Sequence, residues 1–316
     1  MKAGRKLSAL VLALVAGALV AGCGGGGSSS PENKELVLGI AGGWTENEAV
    51  SSLSKVVMER DLGYKVTTRT ADLPLVVRGV GDGKFDAFQD VWMPNNAQLL
   101  KKVRNDVEQL DPWYLGTTKF GIAVPTYAKT ADGQAVTSLD QLNRTDIEQI
   151  IGIEPGAVIS EKIEENVIPD YNLTLEHEPS STAAMLAEVE RLYQDKEPFV
   201  FPPWCPNPMC GQVEGVFPPN EYGGLYDFRY LEDPKNSQGN LDEPATISSI
   251  VSEDLSDEDP VAYAFINNLR LNDDELVALE NEITKAGDDP VKGAKAWLEG
   301  NRDVVQPAID AAKQEQ

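Results

Sequence analysis

Apolar positions change period repeatedly along the chain, and these changes predict alternating strands and helices. Leu36 to Ile40 is a short apolar run closed by Gly42-Gly43, the pattern of a buried strand. Beyond Trp44, the residues Ala49, Val50, Leu53, Val56 and Val57 recur at helical spacing, with Thr45 placed to cap the helix and Gly63 to stop it. Tyr64 to Thr70 then reads as a strand, Leu73 to Val80 as a short helix, and Phe85 to Phe88 as a strand leading to Trp92. Strand, helix, strand, helix, strand in succession points to a mostly parallel sheet with right-handed crossovers.

The pattern restarts at Phe120 to Val124, a strand that meets Pro125, where the chain is expected to cross into a second lobe. Ser138 to Leu142 opens a short helix, Ile150 to Ile153 is a strand, Glu154-Pro155-Gly156 is a turn, and a helix follows from Val158. Met185, Leu186, Val189, Leu192 and Tyr193 share one face of a helix over Ser180 to Tyr193, and Phe199 to Phe201 is the strand before Trp204. The acidic stretch Leu231 to Glu243 reads as loop, after which helices return from Asp259-Pro260, over Asp273 to Ile283 and over Asp289 to Leu298. No sequence repeat recurs at a fixed period, which argues against a solenoid. Two α/β lobes are the expectation: residues 35–124 and 240–316 form a discontinuous first lobe, and residues 125–239 the second.

The first residues depart from this pattern. Lys2, Arg5 and Lys6 surround the start of an apolar stretch, Leu7 to Ala21, that ends at Val20-Ala21-Gly22-Cys23. The stretch is short and rich in small residues, so it reads as a lipoprotein signal peptide over residues 1–22, with Cys23 the lipid-modified N-terminus after cleavage. Residues 23–34, with the run Gly24 to Ser30, form a Gly/Ser tether. The mature chain is therefore expected outside the cytoplasm, anchored to the cell membrane by lipid.

Charge and cysteines narrow the function classes. With 27 basic and 51 acidic residues and a net charge of −24, the surface repels nucleic acid and anionic headgroups. It suits a cationic ligand, and serves equally for solubility in salt. Besides Cys23 there are Cys205 and Cys210, close together in a Pro-rich loop; an oxidising compartment favours a local disulfide, with free thiols the alternative. Neither has a His nearby, so no metal site is expected. A single histidine, no nucleophile elbow and no metal-ligand pattern give no catalytic residue and imply no cofactor. An exported small-amine enzyme working through carboxylates alone is the alternative from another class.

Three of the five tryptophans, Trp44, Trp92 and Trp204, each lie a few residues beyond a short strand. In open α/β sheets the ligand crevice lies outside the carboxyl ends of the strands. An indole face attracts a cation that has no hydrogen-bond donors, and several faces around one point make an aromatic cage. At roughly 1 to 2 kcal/mol per desolvated ring, three rings alone give about millimolar to tens of micromolar binding. Closure of the lobes and a polar contact to the far end of the ligand must add the rest. Trp297 lies on the apolar face of a late helix and reads as core; Trp113 has no role assigned.

Several segments together resemble the glycine betaine, choline and proline betaine binding proteins of ABC importers. They are Gly39 to Glu46 with Trp44, Phe85 to Asn95 (FDAFQDVWMPN), Lys119 to Tyr127 (KFGIAVPTY), Gly152 to Ile159 (GIEPGAVI), Ser180 to Leu186 (SSTAAML), Trp204 to Met209 and Tyr230 to Pro234 (YLEDP). The resemblance implies a periplasmic-binding-protein-like α/β clamshell that closes on its ligand, with Trp44, Trp92 and Trp204 around the quaternary ammonium group and Phe120 as a fourth wall. For a carboxylate it implies the backbone N–H groups of Val158 and Ile159 after Gly156. Betaine binders often carry a His at the position of Ala97; Asn95 or Asn96 is the substitute donor. Glu46 stands where choline binders carry an acidic residue. The implied protein is a monomeric lipoprotein that takes up a small quaternary amine, with glycine betaine ahead of choline or carnitine, and passes it to an ABC permease and its ATPase; a receptor partner would use the same cage.

Overall fold

A computed structural model of the chain describes residues 34–209 and 226–316. The signal peptide, Cys23, the tether up to residue 33, and Cys210 lie outside the described residues.

Strand β1 (Glu35–Ala41) is buried over most of its length, as its apolar run requires. Helix α1 (Thr45–Asp61) follows, with Trp44 rather than Thr45 at the cap position, because Thr45 already has helical backbone. Glu46 and Glu48 stand in its first turn, and Gly63, with φ 78°, turns the chain out of it. Strand β2 (Lys65–Ala71) pairs parallel with β1 from Glu35↔Lys65 to Ala41↔Ala71. Helix α2 (Leu73–Gly81) carries Pro74 in its first turn, which its fixed φ suits, and buries Val76, Val77 and Val80. Strand β3 (Ala87–Met93) runs parallel to β1 and lies further along the chain than Phe85 to Phe88, so Trp92 is on the strand's last turn of pleat. Short helix α3 (Ala97–Leu100) and strand β4 (Val107–Gln109) complete this stretch.

The chain then builds a second strand set. β5 (Lys119–Phe120) and β6 (Ala123–Pro125) replace the single expected strand, which breaks at Gly121, where φ is 153°. β7 (Gln149–Ile151) leads through the turn into α4 (Val158–Lys162), a π-helical turn over Ile163–Val167, and α5 (Ile168–Tyr171). These three are consecutive and end at Asn172, which is left-handed. β8 (Glu176–Glu178) precedes α6 (Thr182–Asp195), whose cap Ser181 accepts a hydrogen bond from the Ala184 amide at 3.2 Å. β9 (Trp204–Cys205) and β10 (Phe228–Tyr230) close the set. β7 and β8 are parallel, β5 and β9 antiparallel, and β6 and β10 antiparallel. Bridges Ile150↔Val200 (parallel) and Ala123↔Phe201 (antiparallel) join residues 199–201 between β7 and β6, so these strands run side by side in the order β8, β7, 199–201, β6, β10.

The chain returns with β11 (Thr246–Ser252), which lies antiparallel between β3 and β4. The first sheet is thus mixed, in the order β2-β1-β3-β11-β4, instead of mostly parallel. Thr118 and Ala245, on the two connections between the halves, hydrogen-bond each other: the Thr118 hydroxyl donates to the Ala245 carbonyl at 2.9 Å and accepts from its amide at 2.6 Å. Helices α7 (Leu255–Glu258), α8 (Pro260–Asn268), α9 (Asp273–Ala286), α10 (Pro290–Gly300) and α11 (Arg302–Gln314) end the chain. Side chains of Asp259, Asn272 and Asp289 cap α8, α9 and α10 in turn. Helices α9, α10 and α11 pack on α1, and α11 also on α8. Leu38, Leu53, Val76, Phe88, Ile250 and Phe265 are fully buried in this half. Each such side chain stabilises the fold by about 1.5 to 3 kcal/mol relative to exposure.

Candidate functional site

Four aromatic rings converge on one cavity between the two strand sets. Its wall contains Trp44, Trp92, Phe120 and Trp204, together with Leu73, Asn95, Asn96, Ile153 and the segment 157–159. Trp44 and Trp204 have ring centroids 6.1 Å apart, and Trp92 and Phe120 6.3 Å apart, both pairs tilted. Phe120 and Trp204 are direct cross-strand neighbours in the β5–β9 pair. Trp44 and Trp92 come from the ends of β1 and β3, whereas Phe120 and Trp204 come from the second strand set. All four sequence-read rings are therefore brought together, two from each strand set, with Phe120 in the second set because β5 pairs with β9, although the expected crossing was at Pro125. Trp113 is completely buried away from the cavity, and Trp297 is core.

The loop before Trp44 shows how close the halves approach. Gly43 has φ 85°, and a Cβ there would lie 2.8 Å from the Ala183 amide nitrogen and 2.9 Å from Thr182 Cβ at the start of α6. The Ala41 amide donates to Asn47 Oδ1 at 2.7 Å, which pins this loop to α1.

Opposite the rings stands the turn Glu154-Pro155-Gly156. Gly156 has φ 87°, a conformation open to glycine, and packs toward Pro74 of α2. The Thr182 hydroxyl donates to Glu154 Oε2 at 2.7 Å, and the Ser160 hydroxyl to the Ile153 carbonyl at 3.2 Å, which fix the turn. Val158 and Ile159 are the first two residues of α4, so their amides have no acceptor within the helix and carry the positive end of its dipole. Asn95 is 5% exposed, and neither of its side-chain polar atoms has a partner among the described residues. The Trp44 indole N–H is likewise buried and unpaired. Asn96 is committed locally: its Oδ1 accepts from the Trp92 amide at 2.8 Å.

Behind the rings lies a set of carboxyl groups. Trp204 Nε1 donates to Glu46 Oε1 at 2.8 Å, and Trp92 Nε1 donates to Asp90 Oδ1 at 2.9 Å. Glu46 and Asp90 lie close enough that each bears on the other's titration. Glu46, read from sequence at the ligand's polar end, is fully buried and absent from the cavity wall, because its two oxygens are taken by Trp204 and Thr45. Burial pushes its carboxyl up to about 8. Burial, and next the Glu46 charge, hold Asp90 and Glu280 well above the ordinary carboxylate range. Asp90 was legible, two residues before Trp92 on a strand and hence on the same face. Glu280, far along the chain on α9, carried no such signal.

These raised values fix the sign of a stability effect. A carboxyl that titrates higher in the folded state contributes stability that is full below the unfolded value and lost as pH rises through the folded one. Ligand-free protein is expected to unfold at higher temperature at pH 5.5 than at pH 8 in thermal melts at constant ionic strength. The reverse order would contradict the burial of Glu46, Asp90, Glu280 and Glu154, all of which are raised.

His177 lies on β8, with its Nδ1 2.9 Å from Glu164 Oε1 and its Nε2 against Gly152, remote from the rings. Cys205 is in a disulfide, and its candidate partner Cys210 lies outside the described residues.

Residues 34–300 match the family described as the substrate binding domain of an ABC-type glycine betaine transport system. A curated relative, the glycine betaine/carnitine transport binding protein GbuC of Listeria monocytogenes serotype 1/2a (strain 10403S), is 30% identical over 177 residues, or 55% of this chain. The match spans about half the length of that relative, 52%. Among solved structures, lactococcal OpuAC in its closed-liganded conformation with glycine betaine aligns with a TM-score of 0.72 and 25% identity, over 87% of this chain and 99% of its own. An ABC-transporter choline binding protein in complex with choline shares the fold, with a TM-score of 0.71 and 20% identity over 89% of this chain and 97% of its own.

Proposed function

The chain belongs to the family of substrate-binding domains of ABC-type glycine betaine transport systems, and from that premise we propose that it captures a quaternary ammonium solute, glycine betaine first, and delivers it to an ABC permease. The observation that carries this reading is the convergence of Trp44, Trp92, Phe120 and Trp204 on one cavity. A trimethylammonium group has no N–H to offer, is weakly hydrated, and gains from several π-faces at once. Across the cavity, the Val158 and Ile159 amides and the Asn95 side chain supply donors for a carboxylate. Asn95 thereby takes the part that the residue at Ala97 does not.

The relatives support this reading by their names: one is a glycine betaine/carnitine transport binding protein, and one was crystallised with glycine betaine. The matched family is a substrate binding domain, and in this reading the chain acts by binding and release. The cage is split between the two halves, so closure completes it and dries it, and the closed form is what a permease and its ATPase would read. In this reading the protein works outside the cytoplasm as a monomer, held to the membrane through lipid on Cys23.

Isothermal titration of the delipidated protein against glycine betaine, choline and carnitine tests the proposal. Glycine betaine is expected to bind tightest. Tight choline binding without a glycine betaine signal would move the assignment to choline, and binding of none of the three would end it.

A further inference from the structure

The carboxyl groups behind the cage have a role that the rings alone do not explain. We infer that Glu46 and Asp90 form a positioning pair that shares one proton, carries one cage tryptophan from each half of the protein, and gives up that proton when a cation enters the cage. The inference rests on reading the site as a quaternary ammonium cage, and it deepens that reading.

The geometry assigns the two oxygens of each group. Asp90 Oδ1 accepts from Trp92, and Asp90 Oδ2 is buried with no donor among the described residues. Glu46 Oε1 accepts from Trp204 and Oε2 from Thr45. Two carboxylates cannot meet in a buried site without a proton between them, and the oxygen without a donor, Asp90 Oδ2, is the one that must carry it. Asp90 then holds the shared proton, while the Glu46 oxygens face the donors of Trp204 and Thr45. The groups facing the pair are Glu280 from α9, Tyr114 from the segment before β5, Thr45 from α1, and the two indoles. Tyr114 is itself bonded to Asp273 of α9. Burial, with neighbours that are acids or neutral donors, holds the pair's proton upward of the usual carboxylate range.

A permanent cation enclosed by Trp92 and Trp204 sits one indole away from this pair, in a water-poor interior where charge is weakly screened. It favours the doubly ionised pair, so binding expels a proton to solvent and no other bond changes. By linkage, affinity then rises with pH and levels off once the free pair has ionised. The pair also ties the halves together: Glu46 belongs to α1 and Trp204 to β9, so their hydrogen bond exists only when the rings have met.

Tetramethylammonium chloride is the probe, because it has neither carboxylate nor hydroxyl and never titrates. Wild-type protein titrated at pH 7 in two buffers of different ionisation enthalpy is expected to release a substantial fraction of one proton per ligand. Its affinity is expected to rise about five- to tenfold from pH 6 to pH 8, within the tenfold-per-unit limit for one coupled proton. E46Q keeps an acceptor for Trp204 but breaks the pair, so proton release and the pH dependence should both shrink and affinity at pH 8 should fall about tenfold. If the pair served structure alone, wild-type protein would bind the probe with no proton release and a flat profile, and this outcome overturns the inference while leaving the cage intact. Should tetramethylammonium, glycine betaine and choline all fail to bind, the cage reading falls and the pair's role with it. The wild-type measurement decides the matter even if E46Q does not fold.

Discussion

Trp204→Ala is expected to weaken glycine betaine binding by about a hundredfold. The ring supplies one wall of the cage, roughly 1 to 2 kcal/mol when desolvated. Its N–H is also the donor to Glu46 Oε1, and a buried carboxyl stripped of a donor costs about 1 to 3 kcal/mol more. The two together approach 3 kcal/mol, or about two decades in Kd. Trp204→Phe separates the contributions, since it keeps an aromatic face and loses only the donor; its affinity should fall between wild type and Trp204→Ala. Calorimetric titration of the three proteins checks this ordering. A Trp204→Ala protein that binds within threefold of wild type would remove Trp204 from the site.

Gly43→Ala is expected to fold normally and to bind poorly. The added Cβ meets the Ala183 amide nitrogen at 2.8 Å and Thr182 at 2.8 to 2.9 Å, contacts against backbone and a branched side chain that cannot swing aside. The φ of 85° adds strain for any residue but glycine, and this is present whether the halves are closed or apart. The collision belongs to the closed form alone. Overpacking of this kind costs about 1 to 3 kcal/mol, so the closed population, and with it the affinity, should drop roughly ten- to hundredfold. Small-angle scattering should show that saturating ligand compacts wild-type protein but not Gly43→Ala at the same concentration. Equal compaction and equal affinity would show that the Gly43 contact is not needed for closure.

Much of this was legible in the sequence where local pattern and packing agree. The run Leu36 to Ile40, the face of α1 and the capped helices near the C-terminus appeared where their periodicity placed them. Strand β11 did not, because buried Ser248 and Ser249 stand where an apolar pair would have marked a central strand. Its antiparallel pairing with β3 is also a contact across more than 150 residues, which no window of sequence reports. Helix α11 had the spacing, with Val305, Ala308, Ile309 and Ala312 buried, and Pro307 inside it obscured the pattern. For the site, the rings were readable because tryptophans after strands are rare and positioned by the sheet. Glu46 was readable as an acid near Trp44 but not as the partner of Trp204, since the fold joins residues 158 positions apart.

The paired connections at Thr118 and Ala245 have a consequence for recapture. A body whose halves are joined by one strand can swing and also twist, so each meeting of the rings would be a fresh search over orientations. Two connections tied to each other through the Thr118 hydroxyl restrict the twist and leave bending as the softer coordinate. Four aromatic faces drawn from both halves can then meet in the same arrangement on every cycle.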